Sequence, residues 1–199
     1  TNAFKAENVD FISLKGIYLS DWLYGDTSLR YFSDIDILVN SDDGKKSLRI
    51  LDSLGYTANE YNFPEFLTKN SEIVSYPLRL KNGVAVDVSI KVHSDTEHYH
   101  LDEAVLWSRT EKQYIHGCET TVFDVTDLLM YTCLNLDKHF KSGSVKFTGF
   151  YDLVNILDGA VFTAHNVSFD YSFVKTEFKR QGINFSAEKF CTMRFSRLL

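Results

Sequence analysis

The feature that most constrains this chain is the run Asp34-Ile35-Asp36-Ile37-Leu38-Val39. Its last three residues are apolar on both faces, which is typical of a strand buried inside a sheet. Successive side chains of a strand point to opposite faces, so Asp34 and Asp36 share one face. Two neighbouring carboxylates repel each other unless a cation lies between them, and Mg²⁺ or Mn²⁺ prefers such oxygen ligands. The run predicts a metal site; the alternative is an exposed edge strand with its polar residues facing outwards.

A third carboxylate lies within another apolar segment of the chain. Asp87 is flanked by valine and alanine in the run Val84-Ala85-Val86-Asp87-Val88. A charge inside such a strand needs a metal or a cationic partner. If this strand lies beside the first acidic strand, three aspartates converge. Asp87 then completes a second metal site and helps to deprotonate an attacking hydroxyl.

Candidate phosphate-binding residues precede the acidic strand. The turn that begins at Gly25 and Asp26 offers backbone N–H groups that can surround a phosphate. Arg30 can bind phosphate oxygens through two N–H groups at once. Lys15 lies at the start of the preceding predicted helix and adds a second cation, although a solvated lysine is the alternative there. These four residues predict a phosphate site next to the carboxylates.

The periodicity of the chain predicts an α+β protein with a mixed sheet flanked by helices. Predicted helices cover 16–24, 45–54, the segment from Asp124 to Phe140, 150–157, 168–181 and 186–198. Predicted strands cover 34–39, 56–59, 73–80 and 84–92, with a hairpin at Asn82-Gly83 and another over 110–123. We therefore expect a catalytic domain over 1–123 and a helical domain over 124–199.

Composition narrows the class of function. The chain has 199 residues and a formal net charge of −6, which argues against a general nucleic-acid binder. No apolar run approaches the roughly 20 residues that cross a bilayer. Three widely spaced cysteines predict reduced thiols and a cytoplasmic protein. The first residue is Thr, so we expect a fragment of a longer chain or an altered start.

Three consecutive motifs resemble one family of proteins. They read L-K-G-I-Y-L at 14–19, L-Y-G-D-T-S-L-R at 23–30 and D-I-D-I-L-V at 34–39, and L-D-S-L-G-Y follows at 51–56. This pattern resembles the nucleotidyltransferase superfamily typified by DNA polymerase beta. Within it, the chain is most similar to an uncharacterised bacterial nucleotidyltransferase family. The resemblance is specific over 12–56 and looser to about residue 155.

The resemblance also implies roles, and the chain departs from the family at two of the positions. Asp26 stands where the superfamily usually has serine, and Ser89 stands where the family tends to have histidine after the third aspartate. The family's helix that ends in lysine and histidine matches Lys138 and His139, and its tryptophan-rich helix with a following aspartate matches the segment from Phe147 to Asp152. These residues are expected to line the base or acceptor pocket, with polar positions on a helix surface as the alternative.

Together the residues and the resemblance predict a Mg²⁺-dependent transfer of a nucleotidyl group from a nucleoside triphosphate to a hydroxyl of a small molecule or protein. One alternative is an inactive nucleotide-binding module. Another is a nucleotide-sugar glycosyltransferase, against which the 33 residues before Asp34 argue, because they are too few for a preceding nucleotide-binding unit. The nucleobase, the acceptor, the oligomeric state and a kinase-like phosphoryl transfer stay open.

Overall fold

The computed structural model describes residues 1–58, 75–80, 84–92, 102–144 and 146–195. It divides into two compact units, Thr1–Tyr131 and Thr132–Leu199. The predicted division into a catalytic and a helical domain at residue 123 stays a prediction. The turn at Asn82-Gly83 lies outside the described residues.

The first unit is built on a mixed sheet. Its seven described strands are β1 (Phe11–Ser13), β2 (Asp34–Val39), β3 (Tyr56–Ala58), β4 (Ser75–Leu80), β5 (Ala85–Ser89), β6 (Glu111–Ile115) and β7 (Cys118–Val122). They lie in the order β3-β4-β5-β2-β1-β7-β6. The pairs β2–β5 and β1–β7 are parallel, and the other neighbours are antiparallel. The predicted mixed sheet with flanking helices is confirmed.

Helices precede or follow most of these strands. They are α1 (Asn2–Ala6), α2 (Ile17–Tyr24), α3 (Gly44–Ser53, preceded by a 3₁₀ turn over Ser41–Asp43), α4 (Glu103–Ser108), α5 (Val125–Lys141), α6 (Phe147–Ile156), α7 (Val167–Arg180) and α8 (Thr192–Phe195). The Asp124 carboxylate accepts a hydrogen bond of 2.7 Å from the Asp127 N–H, as expected of the residue that caps α5. No helix among the described residues is long and apolar enough to cross a membrane.

One hydrophobic cluster explains why β2 and β5 lie at the centre of the sheet. The buried side chains of this cluster come from α1 and the loop after it, from α3, and from β2, β4 and β5: Phe4, Val9, Ile37, Val39, Leu48, Ile50, Leu51, Tyr76, Val86 and Val88. The alternation of β2 and β5 directs their isoleucine and valine residues into this cluster. The aspartates of β2 and β5 lie on the opposite face of these strands.

The second unit differs from its prediction at the C-terminal end. The predicted helix over 186–198 is wrong, because Glu188–Cys191 forms a strand, β9, and only Thr192–Phe195 is helical among the described residues. β9 pairs in parallel with β8 (Val161–Ala164), which the sequence analysis did not predict. The cause is non-local, because β9 forms by pairing with a segment 27 residues earlier in the chain, as Glu188 does with Val161.

Candidate active site

Three carboxylates meet on one face of the central strands. In the parallel pairing of β2 with β5, Asp36 lies directly opposite Asp87, and Asp34 lies opposite Ala85. Paired residues point to the same face, so Asp87 joins the face that Asp34 and Asp36 share. Each of the three offers an oxygen within 4.8 Å of the others. We call Asp34, Asp36 and Asp87 the carboxylate triad.

Asp36 is the most buried member of the carboxylate triad. Its exposed fraction is 5%, and its Oδ2 atom has no hydrogen-bond partner among the described residues. Burial raises the pKa of Asp36, Lys15 lowers it and the charges of Asp34 and Asp87 raise it, and together they bring the pKa to about 6. The site therefore concentrates negative charge where water does not compensate it.

Lys15 contacts the carboxylate triad directly. Its Nζ atom lies 3.2 Å from Oδ1 of Asp36, with both side chains largely withdrawn from solvent. The backbone explains the position, because the N–H of Leu14 donates to the carbonyl oxygen of Asp36 at 3.1 Å and brings the next residue beside that carboxylate. Lys15 was predicted to bind phosphate; the structure shows it on a carboxylate, and its contact with phosphate stays a prediction.

Gly16 sets the close approach between α2 and β2. Its φ is +60°, and a Cβ at this residue would lie 3.1 Å from the carbonyl oxygen of Asp34. Glycine tolerates both the dihedral angle and the contact. The glycine of the L-K-G motif is thus explained by a backbone that has no space for a side chain next to the carboxylate triad.

Arg30 is tied to the beginning of α2. The residue is 8% exposed, and its Nη1 atom donates to the carbonyl oxygen of Gly16 at 3.3 Å. The buried hydroxyl of Ser20 lies 2.8 Å from that same oxygen and 3.2 Å from the carbonyl oxygen of Arg30. These bonds join the two ends of the segment that leads into β2. The predicted contact of Arg30 with phosphate stays a prediction.

Some N–H groups of the turn after α2 already donate hydrogen bonds to neighbouring residues. Gly25 ends the helix with φ +66°, and its N–H donates to the carbonyl oxygen of Asp21. The Asp26 side chain then accepts a 2.8 Å hydrogen bond from the N–H of Ser28, which holds the pKa of that carboxyl below its usual value. The aspartate that stands in place of the usual serine therefore accepts the hydrogen bond of one turn N–H, that of Ser28. Phosphate binding by Gly25 and Asp26 stays a prediction.

Tyr131, on α5, is a neighbour of the site that was not among the predicted site residues. It is buried, and its ring centroid lies 5.9 Å from that of Phe123. Burial first, and then the charges of the carboxylate triad, raise the pKa of Tyr131 well above its usual range. The sequence pattern of the helix contains no signal for the proximity of three carboxylates that are distant in the chain.

The remaining candidates belong to the second unit. Lys138 is exposed in the last turns of α5, and half-buried His139 has its Nδ1 atom 3.1 Å from the hydroxyl of Ser144. Asp152, on α6, is 2% exposed. A role of these residues in a base or acceptor pocket stays a prediction.

A family comparison decides the class of this protein. A family model described as "uncharacterised nucleotidyltransferase" matches residues 1–170. The chain belongs to this nucleotidyltransferase family. The sequence-based recognition of the family and of a transferase enzyme is thereby confirmed. No curated protein matches the chain.

Solved structures of nucleotidyltransferases share the fold. The lincosamide antibiotic adenylyltransferase LnuA, solved with lincomycin bound, has a TM-score of 0.51 and 16% identity, over 78% of this chain and 90% of its own. ANT(2")-Ia, solved in complex with adenylyl-2"-tobramycin, has a TM-score of 0.51 and 12% identity, over 90% of this chain and 92% of its own. At these identities the likeness concerns the fold.

Proposed function

We propose that this nucleotidyltransferase moves a nucleoside monophosphate group from a nucleoside triphosphate to a hydroxyl of a small molecule or protein, in a reaction that depends on Mg²⁺ or Mn²⁺. The observation that carries the proposal is the carboxylate triad, three acidic side chains on paired strands in a chain of this family.

The residues present fit a divalent cation. They supply only carboxylate oxygens, the ligands that Mg²⁺ and Mn²⁺ prefer. The buried Oδ2 atom of Asp36 has no hydrogen-bond partner among the described residues, and such an atom is costly to bury unless a cation meets it. When bound to Asp34, Asp36 and Asp87, the metal would neutralise charge on the triphosphate and polarise the reacting phosphate.

The reaction that we propose forms one bond and breaks one. An acceptor oxygen attacks the α-phosphorus, and the bond from that phosphorus to the β-phosphate bridging oxygen breaks, so that pyrophosphate leaves. Asp87 accepts the proton of the acceptor hydroxyl. Lys15, Arg30 and the turn at Gly25 and Asp26 lie on the segments that flank the carboxylate triad and are the proposed phosphate contacts of this unit.

The acceptor class is proposed from the chemistry of the neighbours. LnuA is an adenylyltransferase of lincosamide antibiotics, and the ANT(2")-Ia structure contains an adenylylated tobramycin. Both observations concern hydroxyl-bearing small molecules. We propose the same acceptor class here, with a protein hydroxyl as the second candidate. The acidic formal charge of −6 disfavours long nucleic acids. A cytoplasmic location stays a prediction.

The direct test measures products from each of the four labelled nucleoside triphosphates. The purified protein is incubated with Mg²⁺ or Mn²⁺ and either lincomycin, tobramycin or no acceptor, which also reveals self-modification. We expect pyrophosphate and a labelled acceptor. Release of the nucleoside diphosphate instead would indicate phosphoryl transfer, and binding without any product would indicate an inactive nucleotide-binding module.

Two aspartate variants give a matched control. Asp36→Asn removes one charge from the carboxylate triad, whereas Asp52→Asn makes the same change on the exposed side of α3. We expect loss of product only for Asp36→Asn. Equal activity of the two variants would refute the assignment of the site.

A further inference from the structure

Lys15 is positioned as a fixed positive charge inside a cluster of negative ones. Its Nζ atom lies 3.2 Å from Asp36, and its side chain is only 25% exposed. The residue follows a backbone hydrogen bond to Asp36 and precedes the constrained Gly16, so its backbone is held beside Asp36. The ammonium therefore lies next to the carboxylate triad in the nucleotide-free protein.

The two carboxylate oxygens of Asp36 have different surroundings. Oδ1 contacts Lys15, while the buried Oδ2 has no hydrogen-bond partner among the described residues. One ammonium offsets one of three carboxylate charges, which leaves the site acidic enough to attract a divalent cation. The same ammonium also repels that cation, because like charges a few ångströms apart interact strongly where solvent screens them little.

We propose that Lys15 is a built-in counter-cation of the carboxylate triad, which stabilises the metal-free protein and weakens the binding of a divalent cation in the absence of nucleotide. In the nucleotide-free protein, Lys15 acts through Asp36 and is a positioning residue. The inference rests on the proposed function, because it takes the carboxylate triad as the metal site.

The test is an isothermal titration calorimetry experiment, in which Mn²⁺ is titrated into the nucleotide-free protein at pH 8. We expect Lys15→Met, which keeps an apolar stem and removes the charge, to bind Mn²⁺ roughly tenfold more tightly than the unaltered chain. Lys15→Arg keeps the charge and should retain the original affinity. Lys5→Met is the matched control, because Lys5 pairs with Glu119 rather than with the carboxylate triad.

Thermal unfolding supplies a second readout. Without metal, Lys15→Met should unfold at a lower temperature, because Asp36 loses its partner, and Mn²⁺ should raise its midpoint by more than in the unaltered chain. If Lys15 had only a structural role, its replacement would lower the unfolding midpoint by the same amount with and without Mn²⁺. If Lys15→Met does not fold, Lys15→Gln takes its place in both measurements.

Equal or weaker Mn²⁺ binding by the folded neutral variant would overturn the inference, and so would absence of Mn²⁺ binding in both proteins. A chain that binds Mn²⁺ as expected but forms no product from any nucleoside triphosphate would contradict the proposed function. That result would leave the assignment of Lys15 standing.

Discussion

The two faces of strands β2 and β5 have opposite chemistry although they share one backbone. On one face, Ile37, Val39, Val86 and Val88 pack into the hydrophobic cluster beneath α3. On the other face, the same strands bring the carboxylate triad together. Burial of the first face stabilises the fold, whereas concentration of charge on the second face opposes it. The comparison indicates that the apolar face holds the backbone in the register that the acidic face requires.

The largest expected effect belongs to the acidic face. Asp36→Asn should lower the rate of product formation by about a thousandfold or more, because a lost metal ligand removes several kcal/mol of transition-state stabilisation. The measurement is the initial rate of pyrophosphate release at saturating Mg²⁺. A rate within tenfold of the unaltered chain would place the chemistry elsewhere.

The apolar face should respond in stability rather than in chemistry. Ile37→Ala, one residue along β2 from Asp36, removes a side chain that is 5% exposed and should cost about 2–4 kcal/mol of unfolding free energy. Urea denaturation measures this cost. The folded fraction should bind Mn²⁺ with unchanged affinity; a large loss of affinity would mean that the two faces are not separable.

Gly16 connects the faces through the backbone. Gly16→Ala should destabilise the protein by about 2–3 kcal/mol, because alanine is strained at this φ and its Cβ meets the carbonyl oxygen of Asp34. Gly55→Ala is the control: its φ is +89°, but no atom lies within 4 Å of the added Cβ. Similar costs for the two variants, measured by thermal unfolding, would show that crowding at β2 contributes nothing.

The smallest expected effect is a change in folding stability with pH. The pKa of Asp36 is about 6 in the folded protein against an ordinary 3.8, so the folded state binds the proton more tightly than the unfolded chain does. With EDTA present to remove metal ions, protonation of Asp36 stabilises the folded state fully below about pH 4, and this stabilisation is lost as the pH rises through 6. At pH 7.5, Asp36→Asn should therefore be about 1–2 kcal/mol more stable than the unaltered chain, because the raised pKa already includes the favourable pair with Lys15.

Urea denaturation at pH 4.5 and 7.5, without metal, measures that difference. Asp52→Asn, on the exposed side of α3, should show none. A variant at position 36 that is less stable at pH 7.5 than the unaltered chain would mean that the pair with Lys15 outweighs the cost of the buried charge.

Local patterns were sufficient for most elements of the first unit. The strand at Asp34 was predictable because its apolar run and its alternation are properties of neighbouring residues. The helix before Gly25 and the hairpin over 110–123 followed from similar local signals, and the structure confirms them as α2 and β6–β7. The strands β8 and β9 were missed, because their pairing joins distant segments and each is only four residues long.

The sequence by itself determined that Asp34 and Asp36 share a face, because the two-residue period of a strand depends only on the backbone. Only the tertiary structure decided that Asp87 joins them, because the parallel register of β2 and β5 places it opposite Asp36. The same is true of Lys15, which local reasoning assigned to phosphate and which pairs with Asp36 in the fold. Charges close in space but distant in the chain are brought together by packing of the apolar face, and no local pattern encodes that distance.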